Sequence, residues 1–184
     1  MFKILLSLLI SMQINNSNTD DQINFHSKMA DKYYHIGDFP NMIYHLQQKI
    51  KLDPHDVNSY SDLAYYYWSM SIDDKERKDE FKNKALNYLK IGLEKNKDSA
   101  YMYDELANFH LRYRDYKTAK PFLLESIKKN DSPMTSYHML VLVYLKENEI
   151  KKAIETLEIC VKKFPSDAKA KSKLHELKSS LNGG

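Results

Sequence analysis

The chain has 184 residues, 42% hydrophobic and 29% charged, with 28 basic against 25 acidic side chains and a formal net charge of +3. That length suits one domain with a substantial core, and the near-balanced charge excludes the one-sided basic surface of a nucleic-acid binder. Only 4 Gly and 5 Pro argue against a turn-rich all-β protein, and the single cysteine, Cys160, excludes an intrachain disulfide, a paired-cysteine zinc site and an iron–sulfur site.

Residues 1–20 read as a leader. Lys3 is followed by an apolar run through Met12, and Gln13 to Asp21 is polar and rich in Asn and Ser. A charged start, a short apolar middle and a polar exit are the pattern of a secretory signal peptide. The apolar run is about ten residues, half of what a membrane-spanning helix needs. No cysteine follows it, which excludes a lipoprotein anchor. Export, to a periplasm or the outside, is therefore expected. The alternatives are an uncleaved anchor, the one route to membrane contact, or a short helix on the first repeat of a cytoplasmic protein.

Residues 21–184 repeat. Segments starting at Ile23, Val57, Ala100 and Met134 superimpose, with a closing segment from about residue 167 to 181. The fourth position holds His26, Tyr60, Tyr103 and Tyr137; the seventh, Met29, Leu63, Leu106 and Leu140. The eighth holds Ala30, Ala64, Ala107 and Val141, and the eleventh Tyr33, Tyr67, His110 and Tyr144. A second block has Met42, Ala85, Ala119 and Ala153, then Leu46, Leu89, Leu123 and Leu157 four residues on. Offsets of three and four put each block on one face of a helix, and the small residues let two helices touch. Pro54 and Pro165 stop second helices. Pro121 should strain or bend its helix. Each pair can bury its apolar face only by stacking on a neighbour.

This pattern resembles the tetratricopeptide repeat, over Ile23 to Asp167 plus a capping helix, with the turn Gly37-Asp38-Phe39 and the terminus Leu52-Asp53-Pro54 typical of that family. The resemblance implies an all-α fold: an α-solenoid of antiparallel helix pairs wound as a right-handed superhelix. Met42 stands where the family usually has Ala, and Asp131 where the third repeat would close on Pro. The second repeat carries an insertion within Ser69 to Glu80. It predicts a longer first helix and a charged, solvated connection, since its acids lack calcium-loop spacing and its Gly. Leu174, Leu177 and Leu181 share a face of the capping helix. The Lys-rich stretch from Lys146 to Lys178 is interspersed with acids and reads as a solvated surface.

No catalytic constellation is legible. There is no Gly-rich phosphate loop, and the seven His residues are scattered, with none paired at helical metal spacing. Asp31 and His35 read as a surface contact, and Cys160 as a buried core thiol without a base. The expectation is a non-enzyme with no cofactor and no metal.

The resemblance further implies that first helices line a concave groove. Its predicted partner-binding residues are Tyr34, Asp62, Tyr65, Trp68, Tyr101, Asp104, Glu105, Asn108, His138 and Met139. The set is aromatic and acidic, which suits a protein or peptide ligand of basic or apolar character. Chaperone-binding relatives clamp a C-terminal carboxylate with Lys, Asn and Arg. The corresponding positions here, Ser27, Asp31, Asp62, Tyr101 and Glu105, carry no cation, so no such clamp is expected. The function expected is a protein–protein interaction module or assembly scaffold; the alternative is a structural subunit docked through its outer helices in a larger complex, envelope-associated if the protein is exported.

Overall fold

The computed structural model describes residues 18–182. Among these residues there are nine helices and no strand. Of the proposed leader, residues 1–20, the first seventeen lie outside the described residues. None of the described helices is long and apolar enough to cross a membrane.

The chain divides into two compact units. The first, ending at Lys95, holds α1 (Thr19–His35), α2 (Phe39–Leu52), α3 (Val57–Asp73) and α4 (Lys78–Lys95). The second, from Asn96, holds α5 (Ala100–Arg112), α6 (Tyr116–Ile127), α7 (Met134–Lys146), α8 (Ile150–Lys163) and α9 (Ala168–Asn182). In each unit a helix packs on its successor: α1 on α2 and α3 on α4, then α5 on α6, α7 on α8 and α8 on α9. Within each unit the pairs are joined in turn, by α2 against α3 and by α6 against α7.

Helices α3, α5 and α7 begin at Val57, Ala100 and Met134. The first helix differs from the repeat register. It starts at Thr19, four residues ahead of Ile23, and takes in residues read from the sequence as leader. Asn18 explains this: its Oδ1 accepts from the Asp20 and Asp21 amides (2.7 and 3.2 Å). Asp20 and Asp21 then sit on the positive end of the helix dipole.

The turns inside three of the pairs share one geometry. Gly37, Arg114 and Asn148 all take positive φ (74°, 58° and 59°). The next residue's amide returns five positions, Asp38 to Tyr33, Asp115 to His110 and Glu149 to Tyr144, at 2.8–3.0 Å. This closes the first helix. Asp38 and Asp115 then cap the second helix through the amides of Asn41 and Thr118. Left-handed backbone costs a side-chain-bearing residue about 1 kcal/mol, and Gly avoids it. Arg114→Gly should therefore stabilise the second unit by about 0.5–1 kcal/mol, read as a higher denaturant midpoint with unchanged slope.

The two helices of each pair touch where the sequence is small. Ala64 and Ala85, and Ala107, Ala119, Val141 and Ala153, are all buried. Around them lie Tyr60, Leu63, Phe81 and Leu89 in the first unit and Leu106, Leu123, Leu140 and Leu157 in the second. Ala119 has no exposed surface. Ala119→Leu should overpack the α5–α6 contact and cost about 1–3 kcal/mol in chemical denaturation.

The insertion lengthens α3, which runs 17 residues against 13 in α5 and α7. Asp74 Oδ1 then accepts from the Glu76 and Arg77 amides (3.1 and 3.0 Å) and turns the chain into α4. Arg77 lies over the Phe81 ring and pairs with Glu80, so the connection is charged and solvated. Helix α6 continues through Pro121 without interruption.

Candidate binding groove

A groove of about 610 Å³ opens in the first unit. Three helices supply four residues each: Ser27, Ala30, Asp31 and Tyr34 from α1; Phe39, Met42, Leu46 and Lys49 from α2; Asp62, Tyr65, Tyr66 and Ser69 from α3. Their spacings of three and four make each quartet one helix face. Ala30, Met42 and Leu46 are buried and form the floor. Tyr34 and Tyr65 are 57% and 56% exposed and stand at the rim. Phe39 leans on Tyr66, ring centres 4.7 Å apart. The volume lies within the range of ligand-binding clefts.

The charges are uneven. Lys49 is committed to Asp56 at 2.9 Å. Asp31 meets His35 at 3.3 Å on the exposed surface of α1. Asp62 forms no ion pair among the described residues. Lost hydration pushes its carboxyl above the usual carboxylate range; Lys49 opposes this and Asp56 adds to it. A carboxylate in that setting gains from a cation brought by a ligand.

The structure sorts the predicted binding residues. Tyr34, Asp62 and Tyr65 line the groove. Trp68 lies one turn along α3 and contacts Tyr65, ring centres 5.6 Å apart. Tyr101, Glu105 and Asn108 are half-buried on α5, in the second unit. Asp104 requires correction. It is 7% exposed and accepts hydrogen bonds from Thr135 and Ser136. Ser136 also meets Ser126, whose hydroxyl donates to the Ala100 carbonyl. Asp104 thus belongs to a buried network joining α5, α6 and α7. His138 is likewise engaged, with Asp167 at 2.7 Å, and Met139 packs against the core of the second unit.

Sequence reasoning missed the α2 contribution. It assigned the groove to first helices, yet Phe39, Met42, Leu46 and Lys49 come from a second helix. Their spacing on one face of α2 was the available signal. It also read the histidines as scattered, whereas His26 and His45 are both buried with their Nδ1 atoms 2.7 Å apart. Tyr33 stacks on His45, and Phe25 and Tyr44 meet it edge-on. Cys160 is fully buried, as the sequence implied, and burial followed by the Asp167 carboxylate pushes its thiol up to about 11. Such a thiol is no nucleophile at neutral pH.

No family model matches the chain, and no curated protein sequence matches it. Solved structures do. A crystal structure of MamA protein aligns over 89% of this chain and 84% of its own, at 23% identity and a TM-score of 0.64. TTC0263, a thermophilic TPR protein of Thermus thermophilus, aligns over 90% and 84% at 15% identity with a TM-score of 0.63. YrrB, described as a TPR protein with an unusual peptide-binding site, aligns over 95% and 83% at 13% identity with a TM-score of 0.61. At such identities the likeness establishes the fold.

Proposed function

We propose that this chain, whose helix pairs carry the tetratricopeptide-repeat fold, is a protein-binding module, and that its first unit holds an extended peptide segment with a basic residue beside an apolar one. The groove between α1, α2 and α3 carries this reading. Its rim is two exposed tyrosines, its floor is apolar, and its one carboxylate without an ion pair among the described residues is Asp62. Three of the six large apolar side chains left exposed among the described residues of the first unit, Tyr34, Phe39 and Tyr65, line this groove. Rigid aromatics around a desolvated pocket supply most of the energy of peptide binding, and a partly dehydrated acid selects for Lys or Arg. YrrB, which shares the fold, is described as having a peptide-binding site. Binding needs nothing further from the chain, whereas catalysis would need an activated nucleophile or acid–base pair facing the groove.

The test uses short extended peptides that differ at one position, Arg against Glu, with binding read by Trp68 fluorescence. The wild-type chain should prefer Arg. Asp62→Lys should reverse that preference by about tenfold or more, and Tyr65→Ala should weaken both peptides by about 2 kcal/mol. Equal binding of both peptides by all three proteins would refute the groove as the site.

A further inference from the structure

Three side chains far apart in sequence converge in the second unit. His138 comes from α7, Cys160 from α8, and Asp167 from the turn that opens α9. His138 Nε2 lies 2.7 Å from Asp167 Oδ2, Cys160 Sγ lies 3.6 Å from the same oxygen, and all three donor atoms fall within 4.8 Å of one another. Among the described residues this is the one group of three or more His, Cys, Asp or Glu close enough to hold an ion. Cys160 is fully buried and the Asp167 side chain nearly so, while the His138 side chain keeps 21% of its surface in contact with solvent.

We propose that His138, Cys160 and Asp167 form a site for a borderline-soft divalent cation, Zn²⁺ by preference, that clasps the last helix pair to the capping helix. Imidazole, thiolate and carboxylate are together the zinc donor set, and their softness disfavours Mg²⁺ and Ca²⁺. Bonds of about 2.0–2.3 Å at tetrahedral angles separate donors by roughly 3.3–3.8 Å. The Cys–Asp separation already fits. The His–Asp separation must widen by somewhat over half an ångström from its present hydrogen-bond distance, and the three donors, now spread over up to 4.8 Å, must draw in around the ion. On binding, the Cys160 thiol gives its hydrogen to water, and the hydrogen between His138 Nε2 and Asp167 passes through solvent to Nδ1, so that Nε2 is free to bind the ion. The second Asp167 oxygen already accepts from the Ala170 amide at 3.0 Å, which fixes the carboxylate as an outer hydrogen bond fixes a metal ligand. Partial exposure at His138 leaves room for water as fourth ligand.

The test titrates the full chain, freed of metal by dialysis against chelator, with Co²⁺ and then Zn²⁺. The expected result is one equivalent of Co²⁺ bound with tetrahedral visible bands and a thiolate-to-cobalt charge-transfer band, all displaced by Zn²⁺. Zn²⁺ at a hundredfold excess over its Kd should raise Tm by about 5–10 °C. Cys160→Ser should abolish the charge-transfer band, and His138→Gln should weaken Co²⁺ binding at least tenfold; because His138 is partly exposed, that variant keeps its fold, checked by its far-UV spectrum. Cobalt binding with no thiolate band, a thiolate band that survives Cys160→Ser, or unchanged affinity in His138→Gln would each overturn the assignment.

Discussion

The first unit should lose about 3 kcal/mol of stability as pH falls from 6.5 to about 4. The cause is the His26–His45 pair. At 2.7 Å one imidazole donates its Nδ1 hydrogen to the lone pair of the other, so the contact needs at least one neutral ring. His45 is 8% exposed and ringed by Phe25, Tyr33, Tyr44 and His26. Burial, and then the neighbouring His26, lower it to about 4; burial lowers His26 as well. Below pH 6.5 the unfolded chain takes up a proton at His45 that the folded chain refuses. Stability therefore rises with pH through this window, by about 1.4 kcal/mol for each pH unit from His45 alone. It is fully present above 6.5 and gone below about 4. Trp68 is the single Trp of the chain and lies in the first unit, so its fluorescence in urea reports this loss directly. The double variant His26→Phe/His45→Leu keeps the volume apolar and should flatten the profile between pH 4 and 6.5. A wild-type profile already flat there would contradict the buried pair.

The second large effect is the contrast between Ser136→Ala and Asp104→Asn in the second unit. Ser136→Ala removes a donor to a buried carboxylate and breaks the link to Ser126, which should cost about 3 kcal/mol. Asp104→Asn should be neutral or stabilising at pH 7. Burial pushes the Asp104 carboxyl above the usual range, and the Ser136 and Thr135 hydroxyls only partly offset it. A raised carboxyl favours folding below the unfolded value near 3.8, and that advantage is lost as pH rises through the folded value. At pH 7 the charge is a cost that an amide removes while still accepting from Ser136. Urea titration of both variants at pH 7 checks the sign. Equal destabilisation by the two would show that the charge itself, not the hydrogen bonds, holds the network.

Residue periodicity along the chain is enough to set the helix pairs. Ala, Leu and Tyr recurring at offsets of three and four fix helix faces, and a small residue opposite another small residue fixes where two rods touch. These are local rules, which is why the starts of α3, α5 and α7 stand where the repeat begins. The same locality explains the miss at α1, whose start was set by one capping side chain, Asn18, outside the repeated pattern. Tertiary structure alone decided which side chains meet. Repeat register cannot say that Asp104 is buried under Ser136, that His26 meets His45 from a facing helix, or that Phe39 and Lys49 of α2 join Tyr34 and Asp62 around one groove. Nor can it bring His138, Cys160 and Asp167 to one point. Periodicity assigns a residue to a side of its own helix; packing between helices decides what stands opposite it.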